Sequence, residues 1–229
     1  KKEEKNDSTS NVKERELKKL RKKELAKYGY VIGMSVILYI AVQFVSTYVL
    51  SLLINPVYTL FNGHISIEII EMIVNIIVFI VSLLAPALFI NSYCDYDLDK
   101  NKLNLKTASK CIFIALPLVF VIQIVLGYLF EKLGLNYDIV DKIDIYKDKS
   151  IISSILFFIY IAVLPAIFEE FYIRGTVVKY SKKYGNGFAI IVSAILFAAL
   201  HMNISQALFA FLMGVIFAII AIKTRKYNT

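Results

Sequence analysis

Histidine and cysteine are scarce in this chain, with two of each in 229 residues: His64, His201, Cys94 and Cys111. Both cysteines fall near a predicted lysine-bearing loop, where a reducing compartment keeps thiols reduced, so a structural disulfide is not expected. Neither has a histidine neighbour in sequence, which leaves a cysteine nucleophile unsupported. The zinc-protease pattern His-Glu-x-x-His is absent. Tyr96-Asp97 lies in a predicted loop with no second intramembrane aspartate, so an aspartyl mechanism lacks half of its dyad. Ser193 precedes His201 by eight residues, about 12 Å along one helix, too far for a nucleophile and its base. Ser205 is nearer but has no glycine-flanked serine motif around it. Internal repeats are missing too, which argues against a small transporter.

Apolar residues, in contrast, are abundant. They make up 58% of the chain, with a mean hydropathy of +0.66, against about 45–50% in a soluble domain. Lipid is therefore the expected solvent. A hydrocarbon core about 30 Å thick needs roughly 20 helical residues, and six stretches qualify as candidates: approximately 29–54, 66–91, 111–130, 151–180, 187–202 and 204–222. The expected fold is all-α, a polytopic transmembrane bundle of about six spans occupying 28–229 behind a basic tail, 1–27. That tail has eleven Lys/Arg against six Asp/Glu. It is too long and too charged for the n-region of a cleaved signal peptide, so the first span is expected to stay.

Basic residues set the orientation. The 55–65 loop and the region around 203 lack Lys and Arg. The 92–110 loop carries Lys100, Lys102, Lys106 and Lys110, and 174–186 and 223–226 are basic. In the 131–150 loop four lysines are balanced by Glu131, Asp138, Asp141, Asp144 and Asp148, and it is assigned outside. Both ends of the chain then face the cytoplasm. The tail reads as a topology signal or a contact with anionic lipid; no nucleic-acid partner is expected.

Segment four places Glu169, Glu170 and Arg174 in a lipid-compatible context. Charged groups at the centre of a span cost roughly 2.5–3.5 kcal/mol each, so they face the interior, pair, and mark function. On an α-helix neighbouring side chains point about 100° apart, which gives the two acids different jobs. Glu170, four residues before Arg174, is set for a same-face ion pair. Glu169 has no such partner, and apolar surroundings disfavour a charged carboxylate, making it the candidate general base. On segment five stands His201, with Phe197 one turn before it. Counted from Tyr180 and Gly187, Glu169 and His201 lie about 16 and 21 Å from their inner ends, so the two could share one cavity. The plainer alternative is a structural ion pair and a hydrogen-bonded core histidine.

Glu169-Glu170-Phe171-Tyr172-Ile173-Arg174 resembles the Glu-Glu-x-x-x-Arg motif of the CPBP (CAAX protease and bacteriocin-processing) membrane peptidases, with Pro165 and Gly175 flanking it. Phe197-Ala198-Ala199-Leu200-His201 resembles that family's Phe-x-x-x-His motif. The resemblance covers about residues 150–226. It implies peptide-bond hydrolysis in or beside the membrane, with Glu169 and His201 activating water while Glu170 and Arg174 hold the helix. Zinc and metal-independent glutamate mechanisms both remain open for such a site; a zinc ion would be held by Glu169 and His201. The family's third motif, a His followed four residues later by Asn or Asp, does not occur in these residues. The ending Lys223-Thr224-Arg225-Lys226 resembles the turn before the helix that bears it, so a further C-terminal span is expected.

A second polar stripe, His64, Glu68, Glu71 and Asn75, shares one face at the start of span two. It suits helix packing at least as well as metal binding. The expected function is an intramembrane endopeptidase acting on a peptide or a prenyl- or leader-bearing substrate. Its expected setting is a bacterial plasma membrane, a source also favoured by the Lys, Ile and Asn usage. The alternative is an inactive membrane scaffold that binds a partner membrane protein or confers bacteriocin immunity. Oligomeric state is left open.

Overall fold

The computed structural model describes residues 2–62, 64–94, 105–134 and 150–224, and among these residues there is no strand. Among the described residues six helices make up the bundle: α1 (Lys2–Leu60), α2 (Ile67–Asn91), α3 (Leu105–Lys132), α4 (Ile151–Tyr184), α5 (Asn186–Leu200) and α6 (Ile204–Thr224). Five of them are long and apolar enough to cross a membrane. The fifth in order, α5, has 15 residues, about 22 Å at 1.5 Å per residue, which is short of the roughly 30 Å hydrocarbon core. The chain is thus a multi-pass membrane protein, as its hydropathy predicts, with one helix that reaches only part of the way.

The expected boundaries shift in three places. The basic stretch before residue 28 continues into the first span without a break, and α1 runs on through Pro56 to Leu60. Lys106 and Lys110, expected in a loop, lie in the first turns of α3. His201 lies just beyond the end of α5, as its C-cap. The loops containing Tyr96-Asp97, Lys100 and Lys102, the acidic 138–148 stretch, and the basic ending Arg225-Lys226 lie outside the described residues.

Packing centres on α2, which lies along α1 on one side and α4 on the other, while α5 and α6 form an antiparallel hairpin against α4 and α3 packs on α6. Large apolar side chains such as Phe44, Phe113, Phe120 and Ile204 point outward and are exposed, the arrangement expected where the surrounding solvent is hydrocarbon. Inside, Val31, Ile90, Tyr172, Ile173 and Val177 are fully buried.

Two glycines are required by geometry. Gly185 joins α4 to α5 at φ 108, a conformation that a side chain disfavours. Gly214 on α6 lies against α5 so closely that a Cβ there would come within 2.8 Å of Ala194 Cα. Small residues let membrane helices approach at backbone distance where no hydrophobic force drives them together. Gly214→Ala should therefore lower the melting midpoint of the detergent-solubilised protein, by about 1–3 kcal/mol of stability, even though alanine is the better helix former. An unchanged or higher midpoint would show that the helices do not meet there.

Candidate functional site

Helix α4 is not a regular α-helix. After one α-helical stretch, Ile151–Phe158, it widens into π-helical turns at Ile159–Val163, Pro165–Glu169 and Phe171–Val177 before closing again at Val178–Ser181. Pro165 explains part of this, because it has no backbone N–H and its ring clashes with the carbonyl four residues back, so the i to i−4 ladder cannot continue through it. π-Helical turns are rare, and they concentrate at functional sites. Both glutamates and the arginine lie on or beside these turns.

Two hydrogen bonds tie this helix to α1. The Tyr28 hydroxyl bonds Ser181 Oγ at 2.6 Å, and Ser35 Oγ bonds the Tyr172 hydroxyl at 3.2 Å. Residues seven apart on α1 thus meet residues nine apart on α4, in keeping with the wider turns of the π-helical stretch.

Arg174 is fully buried and organises the site. Its Nη1 lies 3.1 Å from Glu170 Oε1, the expected pair four residues apart, and the Glu170 side chain is 37% exposed. The guanidinium also lies over two aromatic rings, Phe197 of α5 at 4.5 Å and Phe217 of α6 at 5.3 Å. Such stacking stabilises a desolvated guanidinium by about 2 kcal/mol. One side chain of α4 thus grips both arms of the α5–α6 hairpin. Phe217 was not identified from the sequence; it belongs to no recognisable motif, and only the fold brings it to Arg174.

Phe197 also holds His201. The two rings meet edge to face at 5.1 Å, and His201 Nδ1 lies 2.8 Å from the Phe197 carbonyl oxygen. A carbonyl only accepts, so Nδ1 carries the proton in this bond and acid–base chemistry falls to Nε2. The chain turns immediately afterwards, with Met202 at φ 48. Glu169 and His201 are both half-buried, and Glu169 interacts electrostatically with Arg174, Glu170 and, on α1, Tyr39.

Among the described residues the donor set at this site does not fit zinc. A catalytic zinc takes three protein ligands plus water, and among the described residues no three His, Cys, Asp or Glu side chains gather as ligands would. The same holds for the second stripe: Glu68 is half-buried, whereas His64, Glu71 and Asn75 are exposed.

Comparison with known families finds a match to part of the chain. Residues 151–228, from the start of α4 to the end of the hairpin and slightly beyond, match the family model for Type II CAAX prenyl endopeptidase Rce1-like proteins. No curated protein and no solved structure matches the chain.

The asymmetry of the ion pair gives a test. Glu170→Gln removes the carboxylate that pairs with a fully buried guanidinium, a loss on the order of 3 kcal/mol. Arg174→Met keeps the bulk and leaves behind a partly exposed carboxylate that stays hydrated, so it should destabilise less. Thermal melts of the two variants give the ranking, and the reverse order would show that the guanidinium does not depend on Glu170.

Proposed function

From the premise that residues 151–228 are Rce1-like, we propose that this protein is an intramembrane endopeptidase in which Glu169 and His201 activate water to cleave a peptide bond. The observation that carries the reading is the stacking of Arg174 on Phe197. Glu169 lies five residues before Arg174, and His201 lies four residues after Phe197. Because α4 and α5 run antiparallel, both steps lead away from the connecting turn at Gly185. That common direction supports one shared site for the carboxylate and the imidazole on neighbouring helices.

The chemistry follows from that pairing. Glu169 takes a proton from water, and the hydroxide attacks the peptide carbonyl. His201, held through Nδ1, presents Nε2 to the developing oxyanion or to the same water. The proton passes from Glu169 to the leaving amine as the C–N bond breaks. Glu170 and Arg174 fix the helix and take no part in proton transfer. No step requires a metal. The substrate class is a peptide or protein with a prenylated end or a leader, reached from the lipid. The setting is a bacterial plasma membrane, with the 1–27 tail and the chain's N-terminal end in the cytoplasm and 28–229 forming the bundle.

A second reading, a non-catalytic scaffold for another membrane protein, is favoured by the absence of a His-x-x-x-Asn/Asp motif in these residues. Cleavage of a fluorogenic prenylated peptide by the protein in liposomes separates the two. The peptidase reading predicts turnover that falls by about 10²–10⁴ in Glu169→Gln, the usual contribution of a general base, with an unchanged melting midpoint. Undiminished turnover in that variant would refute the assignment, and an inert wild type with this and leader-peptide substrates would favour the scaffold.

A further inference from the structure

Helix α1 contributes more than a wall. Its inward face is formed by Tyr28, Val31, Ile32 and Ser35, all buried, and Tyr39 follows four residues later on the same face, half-buried against the core. The two hydrogen bonds from Tyr28 and Ser35 fix this face in antiparallel register with α4. Tyr39 lies one helical turn beyond Ser35 along α1, and Glu169 lies three residues before Tyr172 on α4, in the same direction, so the register brings the two to neighbouring positions. An electrostatic interaction between Glu169 and Tyr39 accompanies this register. Behind them Tyr160 of α4 also acts on Tyr39 and meets Phe79 of α2 edge to face at 5.9 Å.

An interfacial role does not account for Tyr39. The aromatic residues at the lysine-bearing end of the bundle, Tyr28, Tyr180, Tyr184 and Phe188, pack on one another. Tyr39 is eleven residues past Tyr28, about 16 Å deeper along the helix, away from any such belt. A phenol at that depth needs a polar partner, and the register with α4 offers Glu169 as the acceptor.

We propose that Tyr39 is a positioning residue of the hydrolytic site, its hydroxyl holding the Glu169 carboxylate, directly or through the attacking water, so that the carboxylate faces the substrate carbonyl. The proposal rests on the peptidase reading. It assigns part of the site to α1, outside the stretch that matches the family model.

The test is Tyr39→Phe, which keeps the ring and removes one oxygen, with Tyr48→Phe, exposed on the same helix, as control. Peptide cleavage is measured for each variant as kcat and KM separately, and melting midpoints are compared. The expected result is a kcat reduced about tenfold in Tyr39→Phe with KM and midpoint unchanged, no change in Tyr48→Phe, and no further loss when Tyr39→Phe is added to Glu169→Gln, because coupled groups are not additive. A Tyr39→Phe variant with wild-type kcat, beside an inactive Glu169→Gln, overturns this proposal alone. So does a loss that appears in KM or in the midpoint rather than in kcat. A Glu169→Gln variant that still cleaves overturns the peptidase reading, and this proposal with it.

Discussion

A guanidinium buried among membrane helices must find its counter-charge and its neighbours within the protein, because hydrocarbon supplies neither. Arg174 is fully buried, paired with Glu170, and set against Phe197 and Phe217. Satisfying that one charge draws α4 against both helices of the α5–α6 hairpin, and Phe197 then carries the constraint on to His201. The ion pair alone would be a local i,i+4 contact. Stacked on two rings from two other helices, the guanidinium becomes the point from which the heights of Glu169 and His201 are measured.

The backbone of α4 is the second constraint. Its π-helical turns run nine residues between contacts that are seven residues apart on α1. Glu170 shares a face with Arg174, to which it is paired, and Glu169 is its neighbour on the same turns. Close approach of α5 and α6 at Ala194 and Gly214 completes the frame. The short length of α5 ends that helix at His201, where the chain turns back. Non-helical backbone at that depth is tolerated where protein covers it or where it lines a cavity.

Much of this was legible in the sequence, and the missing part has physical causes. Hydropathy and length identify the spans because lipid admits few alternatives to a continuous helix. The Glu170–Arg174 pair follows from spacing alone, and the family resemblance drawn from Glu169 to Arg174 and from Phe197 to His201 agrees with the matched stretch, 151–228. The π-helical turns were not legible, because they reflect a choice of hydrogen-bond ladder that Pro165 opens but does not dictate. Phe217 and Tyr39 were not legible either. Each looks like one more apolar or aromatic residue in a lipid-compatible run, and only the packing of the helices sets it apart. The continuity of the basic stretch with the first span was hidden for a similar reason: charged residues with good helix propensity extend a helix as readily as they form a tail.

The central claim is that Glu169 of α4 and His201 at the end of α5 face one another across a single cavity. The most direct measurement is cross-linking in native membranes of a Glu169→Cys, His201→Cys double variant with a short bis-thiol reagent, in a background where Cys94 and Cys111 are replaced by serine. The account predicts rapid intramolecular cross-linking of this pair and little for Ile167→Cys paired with His201→Cys, since Ile167 is exposed on the outer face of the same helix. Efficient cross-linking of the second pair with none of the first would contradict it.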